Sequence, residues 1–532
     1  MRRLLLKIAA MSSLFVVVGA SSSPLTNAED AISIDGERLV VERCSGCHSV
    51  RPDRSYSRIS EQRKTPEGWF MSVVRMERSK RVVLTEAERR SIVKFLSDEY
   101  GLSPSETADY RADLEKQPNK LDPVSDADLA VMCARCHSSA RIGLQRRNEA
   151  QWRHLVHFHV AQFPTLEYAA GSRDREWWQL ANNSIVPQLT KEYGFESREW
   201  LDWKAEPKHS LSGLWRVTSY EPGIGLYEGE ASIKSDGNDH YTAQYSLSSM
   251  TGETLQATSQ ALVYTGFEWR GARSIDGRSI REVFAVSEDG QSMQGRWFYQ
   301  NSDEIGGSWR AQRMDGQKTL MEVYPAYIKS GQTQEITLFG VGLNGVINLG
   351  DGVSFDVVKR SETSVQLRVT ASNKSIPGTR DVRVGGVPLG ALKVYSHIDR
   401  IKVQPENAIA RLGGGKIPVV TAQFEALAYA NGPDGVENTA DDEIIGVFPA
   451  RWSQSNFDET AESLEDNRFA GKIDQQGLFT PAEAGINPKR YIATNNTGVL
   501  AVTAKVSDGE QVIEGHSRLV VTVQRFVDPP IR

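Results

Sequence analysis

Cys44-Ser45-Gly46-Cys47-His48 and Cys133-Ala134-Arg135-Cys136-His137 are two copies of one pentapeptide, and the rest of the chain is arranged around them. In a Cys-x-x-Cys-His stretch the two thiols can add across porphyrin vinyl groups, and the adjacent imidazole then lies under the iron as its proximal ligand. Cys44, Cys47, Cys133 and Cys136 are therefore expected to anchor two c-type haems, with His48 and His137 as proximal ligands. A zinc site built from both pairs would be a four-Cys site, which leaves the His after each pair unexplained. The chain has four Cys in all, so the two motifs consume every thiol and no disulfide framework remains.

A chain of 532 residues is too long for one core and predicts three or four domains. Its start is basic (Arg2, Arg3, Lys7), followed by the apolar run Leu14 to Val18 and small residues at Gly19 and Ala20. This reads as a signal segment over 1–28, with cleavage after Ala20 or Ala28, and places the mature protein in the periplasm. The apolar run is too short to span a bilayer, so no membrane span is expected after its removal. Export suits covalent haem attachment. The formal net charge of −6, which becomes −9 without Arg2, Arg3 and Lys7, argues against nucleic-acid binding.

Superimposing the two motifs exposes a repeat. Each follows a short helical stretch, Glu37 to Glu42 and Asp126 to Met132. Further on, Thr65 and Asn148 stand four residues before Trp69 and Trp152 as N-caps, predicting helices over Pro66 to Arg78 and Glu149 to Ala161. Trp69, Val73 and Met76 share one face of the first; Trp152, Val156 and His159 occupy the same positions on the second. A closing helix follows in each copy, from Thr85 to Tyr100 and from about Arg173 to Tyr193, the latter interrupted at Pro187. Gly101 and Gly194 then stand where a left-handed C-cap is expected. This order is similar to that of class I cytochromes c, seen twice, with units at about 35–102 and 124–195 inside an all-α dihaem domain over 29–205.

After Trp200 and Trp203 the texture changes to short alternating runs separated by Gly, Asp and Asn. Residues 206–318 resemble a lipocalin-like up-and-down antiparallel β-barrel of about eight strands, and a filled interior is expected rather than a ligand cavity. Residues 319–397 suit an immunoglobulin-like β-sandwich, and residues 398–532 a larger one ending in the tail Asp528-Pro529-Pro530. The expected fold class is thus multidomain α + all-β. The acidic stretch from Asp434 to Glu443 matches no EF-hand spacing and reads as a solvated hairpin.

Met76 and His159 are the expected sixth ligands, since both residue types serve that role and both stand at one position of the repeat. His154 and His157, and Met71 on the first helix, are the alternatives. Two six-coordinate irons would carry electrons rather than activate a substrate. Because a Met/His haem generally has the higher potential, electrons are expected to run from the His137 haem to the His48 haem. Arg51, Arg54, Arg75, Arg135, Arg141, Arg146 and Arg147 are candidates for pairing with haem propionates. No nucleotide loop, metalloprotease motif or nucleophile with its base is present.

A signal, a two-haem unit, a barrel and two sandwiches in this order resemble the alpha subunit of quinohemoprotein amine dehydrogenase. The resemblance is specific at the two haem motifs and rests elsewhere on domain order and size. It implies a periplasmic heterotrimer in which a gamma subunit carries the cysteine tryptophylquinone that oxidises primary amines, beside a beta-propeller beta subunit. This chain would accept the electrons and relay them to a soluble blue copper protein or small cytochrome c. A free-standing dihaem peroxidase is the alternative, and would need a haem with a displaceable ligand. A third reading has the sandwiches recognise a surface polymer while the haems serve a separate electron chain.

Overall fold

The computed structural model describes residues 35–524, apart from 118–119, 121–123, 125, 164–165, 416 and 492–494. The expected signal segment and the Asp528-Pro529-Pro530 tail lie outside the described residues.

The two motifs sit at the ends of short helices, Gly36–Cys44 and Ala127–Met132, capped by the Asp35 and Asp126 side chains. The two long helices start at their expected caps. Thr65 accepts from the Gly68 N–H ahead of Pro66–Lys80, and Asn148 accepts from the Gln151 N–H ahead of Glu149–Gln162. Thr85 and Glu88 form a reciprocal capping box on the first closing helix, Glu86–Glu99.

The second closing helix is interrupted, unlike the first. It runs as Trp177–Leu180, a π-helical turn over Ala181–Ile185, then Val186–Glu192. Pro187 falls in the first turn of the last segment, where a missing N–H costs little, and the wider π turn before it absorbs the break. Neither Gly101 nor Gly194 has the left-handed backbone expected of a C-cap. A Cβ on Gly101 would lie 2.2 Å from the Ser97 carbonyl oxygen and 2.4 Å from Thr265 Cγ2, so glycine is needed there for close approach.

The expectation of an α domain joined to all-β domains is corrected, since β structure dominates at 42% strand against 23% helix and the haem-motif domain is not all-α. The three residues before each long helix's N-cap form strands, β1 (Gln62–Lys64) and β2 (Gln145–Arg147), and these pair antiparallel. An N-cap residue has extended backbone, so the chain entering it is already shaped as a strand. The register is Gln62 with Arg147, Arg63 with Arg146 and Lys64 with Gln145. Aligning the helices by their caps makes Arg63 the counterpart of Arg146, so the ribbon lies across a local two-fold axis relating the units.

Three buried charges cross that axis. Glu106, in the helical turn Pro104–Thr107 between the units, takes two bonds of 2.9 Å from Arg63 and lies 3.1 Å from Arg146 Nε. Burial alone would raise the Glu106 carboxyl, but the bonds and charge of Arg63 and the charge of Arg146 hold it below the usual carboxylate range.

The helical domain rests on a closed eight-stranded antiparallel barrel. Its strands are β3 (Gly213–Glu221), β4 (Gly225–Gly237), β5 (His240–Ser249), β6 (Thr254–Tyr264), β7 (Glu268–Ile275), β8 (Arg278–Val286), β9 (Ser292–Tyr299) and β10 (Ser302–Arg313). Trp215, Trp269, Trp309 and Phe284 fill the interior, with Phe284 stacked on Trp309 at 5.2 Å. An Arg273–Glu282 pair at 2.9 Å is buried among them. Leu262 and Tyr264 of β6 join the core of the first motif-bearing unit, while Val283 and Phe298 of β8 and β9 pack with Leu144 of the second.

Beyond the barrel, residues 319–395 form two four-stranded sheets. Residues 400–522 differ from the expected two-sheet sandwich, because their strands divide among sheets of three, four and three strands. The short strands Gly471–Ile473 and Leu478–Pro481 pair with each other, and the second of them with Ala422–Gln423, making the additional sheet.

Removing the Arg63 charge as Arg63→Met should cost about 3–5 kcal/mol, because the buried Glu106 carboxylate loses its bidentate partner. Denaturant unfolding followed by helical circular dichroism measures this. The Glu106 carboxyl is depressed in the folded state, so its contribution is present above the unfolded value near pH ~4.3 and is lost as pH falls below it. The stability curve of Glu106→Gln should accordingly lack part of the acid slope of the wild type.

Candidate functional site

In both motifs the chain turns tightly after the first Cys. The His48 N–H donates to the Cys44 carbonyl at 2.9 Å, and the Cys136 N–H to the Cys133 carbonyl at 3.3 Å. Cys44 and Cys133 are half-buried while Cys47 and Cys136 face solvent, and none is in a disulfide. Burial raises the Cys44 and Cys133 thiols, the opposite of the depressed thiol that a redox dithiol uses. Among the described residues no group of three or more His, Cys, Asp or Glu could hold a metal ion, so the Cys pairs do not combine as a zinc site.

Backbone carbonyls set the orientation of the imidazoles. His48 Nδ1 donates to the Ser57 carbonyl at 2.9 Å, and His137 Nδ1 to that of Ser138 at 2.8 Å. Holding the proton on Nδ1 makes Nε2 the nitrogen that carries the lone pair, the form a metal-binding imidazole requires. His159 is set in the same way, with Nδ1 donating to the Leu155 carbonyl at 2.7 Å, one turn back in its own helix.

The His137 and His159 ring centroids lie 6.3 Å apart, with the ring planes tilted by 39°. Two imidazoles bound through Nε2 on opposite sides of one metal ion need metal–nitrogen bonds of about 2 Å each and roughly 1 Å more to each ring centre, or about 6 Å. The pair therefore fits the two axial positions of a single haem iron. The alternatives are placed elsewhere: His154 is exposed, and His157 is exposed with its ring 4.7 Å from Trp178. Met76 is half-buried at the equivalent position of the first long helix.

The tryptophans that mark the repeat anchor each long helix to its closing helix. Trp69 Nε1 donates to the Tyr100 carbonyl at 2.9 Å and Trp152 Nε1 to that of Tyr193 at 3.2 Å. The same two carbonyls accept from the Lys64 and Arg147 N–H groups, at 2.9 and 3.1 Å. Further along, Arg75 lies over the ring of Phe158 at 4.7 Å, again a contact between counterparts. The expected sixth ligands are the next residues, 76 and 159.

The candidate arginines separate by partner. Arg51 pairs with Glu61, Arg135 with Asp174 at 2.8 Å and Arg146 with Glu106, while Arg54 and Arg141 are exposed. Arg75 and Arg147 lie inside the seam between the units, and sequence reasoning missed Lys64 beside them. Its signal was available, since Lys64 is the counterpart of Arg147, directly before the N-cap. In the acidic loop near residue 440, Asp442 pairs with Arg400, and Asp441 accepts from Thr439 Oγ1 at 2.7 Å.

Four family descriptions match in sequence along the chain. They are "Quinohemoprotein amine dehydrogenase A, alpha subunit, haem binding" over residues 34–200, and alpha subunit domain II over 208–314, domain III over 317–396 and domain IV over 401–531. No curated protein matches the chain. Among solved structures, a de novo designed fluorescence-activating β-barrel is 17% identical, with 19% of this chain and 92% of that chain covered at a TM-score of 0.17. The Bacteroides ovatus mixed-linkage glucan utilization locus protein SGBP-B, in complex with a mixed-linkage heptasaccharide, is 11% identical over 58% of this chain and 60% of its own, at 0.18. The human desmocollin-1 ectodomain is 9% identical over 58% and 74%, at 0.16. At these scores none of the three bears on fold or function.

The ring geometry makes a selective prediction. His159→Ala should convert one haem of the purified protein to a high-spin or water-ligated form in its magnetic circular dichroism spectrum, while His154→Ala and His157→Ala leave the axial-ligand bands unchanged.

Proposed function

Because the chain belongs to the family of quinohemoprotein amine dehydrogenase alpha subunits, an oxidoreductase family whose alpha subunit has a haem-binding domain, we propose that it is the dihaem electron-transfer subunit of a periplasmic amine dehydrogenase. The observation that carries this reading is the proximity of His137 and His159, whose ring spacing suits two ligands of one iron.

Cys44 and Cys47 would hold one haem c by thioether bonds, with His48 and Met76 as the residues that would ligate its iron. Cys133 and Cys136 would hold the other, with His137 and His159 as its ligands. When bound, the haem irons supply reversible one-electron chemistry. With two side chains of this chain supplied to each iron, the protein would keep water and substrate off the metal, which suits relay and disfavours peroxidase chemistry. The Ser57, Ser138 and Leu155 carbonyls hold the imidazole protons on Nδ1 and so keep each Nε2 basic. A thioether ligand at Met76 favours the reduced state relative to a second imidazole, so the two sites differ in potential.

Amine oxidation belongs to a partner chain in this reading. The electrons come from a cysteine tryptophylquinone on a gamma subunit, held beside a beta-propeller beta subunit, and leave to a soluble blue copper protein or cytochrome c. Among the described residues no helix is long and apolar enough to cross a membrane.

Purification of the native protein should recover partner chains, and addition of a primary amine should reduce its haems. A lone polypeptide whose haems do not respond to amines would overturn the proposal.

A further inference from the structure

The seam between the two units contains two buried cations that meet no counter-charge among the described residues. Lys64 is 6% exposed and Arg147 is 7% exposed. Lys64 Nζ donates to Ser72 Oγ at 2.7 Å and stands 5.0 Å from the centre of the Trp69 ring. Arg147 Nε donates to Gln145 Oε1 at 2.8 Å and its guanidinium lies 5.7 Å from the centre of the Trp152 ring. Among the described residues, neither cation meets a carboxylate. Burial, followed by the charges of Arg147, Arg75 and Arg58, depresses the Lys64 ammonium well below its usual value. The positive groups are thus close enough to work against one another.

An ion taken out of water without a partner costs several kcal/mol, and a like charge beside it adds to that cost. Nevertheless the same arrangement occurs in both units, at the residue before the N-cap and over the unit's own tryptophan. A neutral side chain would pack there at lower cost. The two cations are therefore a matched pair that an anion at the seam would neutralise.

We propose that Lys64 and Arg147 bind the propionate carboxylates of the two haems, on the seam between the units. The proposal rests on the haem function above. Each haem c brings two carboxylates, enough to neutralise both cations, with Arg75 and the exposed Arg58 adding to the positive potential at the seam. Charge-assisted bonds from an ammonium or guanidinium are the usual way to hold such groups.

The test uses the exported haem protein with Lys64→Gln and Arg147→Gln, and Arg198→Gln, at an exposed side chain, as control. Spectroelectrochemistry should show a roughly tenfold shift of one haem's reduction equilibrium toward the oxidised form, about 59 mV lower for one electron. The resonance Raman propionate bending bands should move with it, and the control should leave both unchanged. Unmoved potentials and bands in a protein carrying two haems would overturn the pairing alone. Absence of covalent haem from the wild type would overturn the function it rests on. If the neutral variants fail to take up haem, the exchanges Lys64→Arg and Arg147→Lys decide: shifted propionate bands support the pairing, and unshifted bands refute it.

Discussion

One carboxylate shared by two arginines fixes the relation between the two haem-motif units. Glu106 belongs to neither repeat, yet it lies between Arg63 and Arg146, which are counterparts. A single acid on a two-fold axis can satisfy both copies at once, and an acid contributed by each copy would put two like charges together. The triad is buried, so its geometry must be nearly complete to offset desolvation. Once it is set, the β1–β2 ribbon has one register, and that register brings Lys64 near Arg147 and Arg75 onto Phe158.

The barrel acts on this arrangement from outside. Arg111 from the segment joining the units bonds Glu268 at 2.6 Å, and Arg270 reaches both Glu268 and Glu67. Arg296 donates to the carbonyls of Glu115 and Lys116 at 3.1 and 2.7 Å. The linker is thereby fastened to the barrel wall while Glu106, a few residues earlier, holds the axis. A barrel filled with tryptophan is a stiff support for that role, because a close-packed interior transmits strain instead of absorbing it.

Much of the helical domain was legible because its signals are local. N-caps, the Thr85 capping box and the Trp positions all act within one helical turn, so single residues announce them. The ribbon was not legible, because three polar residues such as Gln62-Arg63-Lys64 read as solvated surface. The burial of Arg63 is made tolerable by distant partners, the Glu106 carboxylate more than forty residues away and the Phe195 carbonyl and Ser197 hydroxyl further still. Gly101 was misread for a related reason, since its constraint comes from Thr265 across the domain boundary and not from the helix end alone. At the candidate site, the motifs and the His159 position were visible in the repeat. The repeat already favoured His159 over His154 and His157, and what the fold adds is its distance from His137 in the same unit, which spacing along one helix cannot give. In the last domain the count of sheets depended on two-to-four-residue strands, too short for any period to show.

The repeat also explains how one position can hold Met in one unit and His in the other. A ligating imidazole needs an acceptor for its second nitrogen, and that requirement usually ties the residue to a specific neighbour. At 159 the acceptor is the Leu155 carbonyl, which the helix supplies four residues earlier and which has a second lone pair beyond its helical bond. The counterpart carbonyl, four residues before Met76, is that of Ser72, so the frame offers the same acceptor in both units. A thioether needs no such acceptor at all. Exchange between the two residue types is therefore local to one side chain, and the axis, the ribbon and the buried triad need not change with it. In the proposed relay, two sites of unequal potential can then arise from a symmetric scaffold without any rearrangement of the seam that joins them.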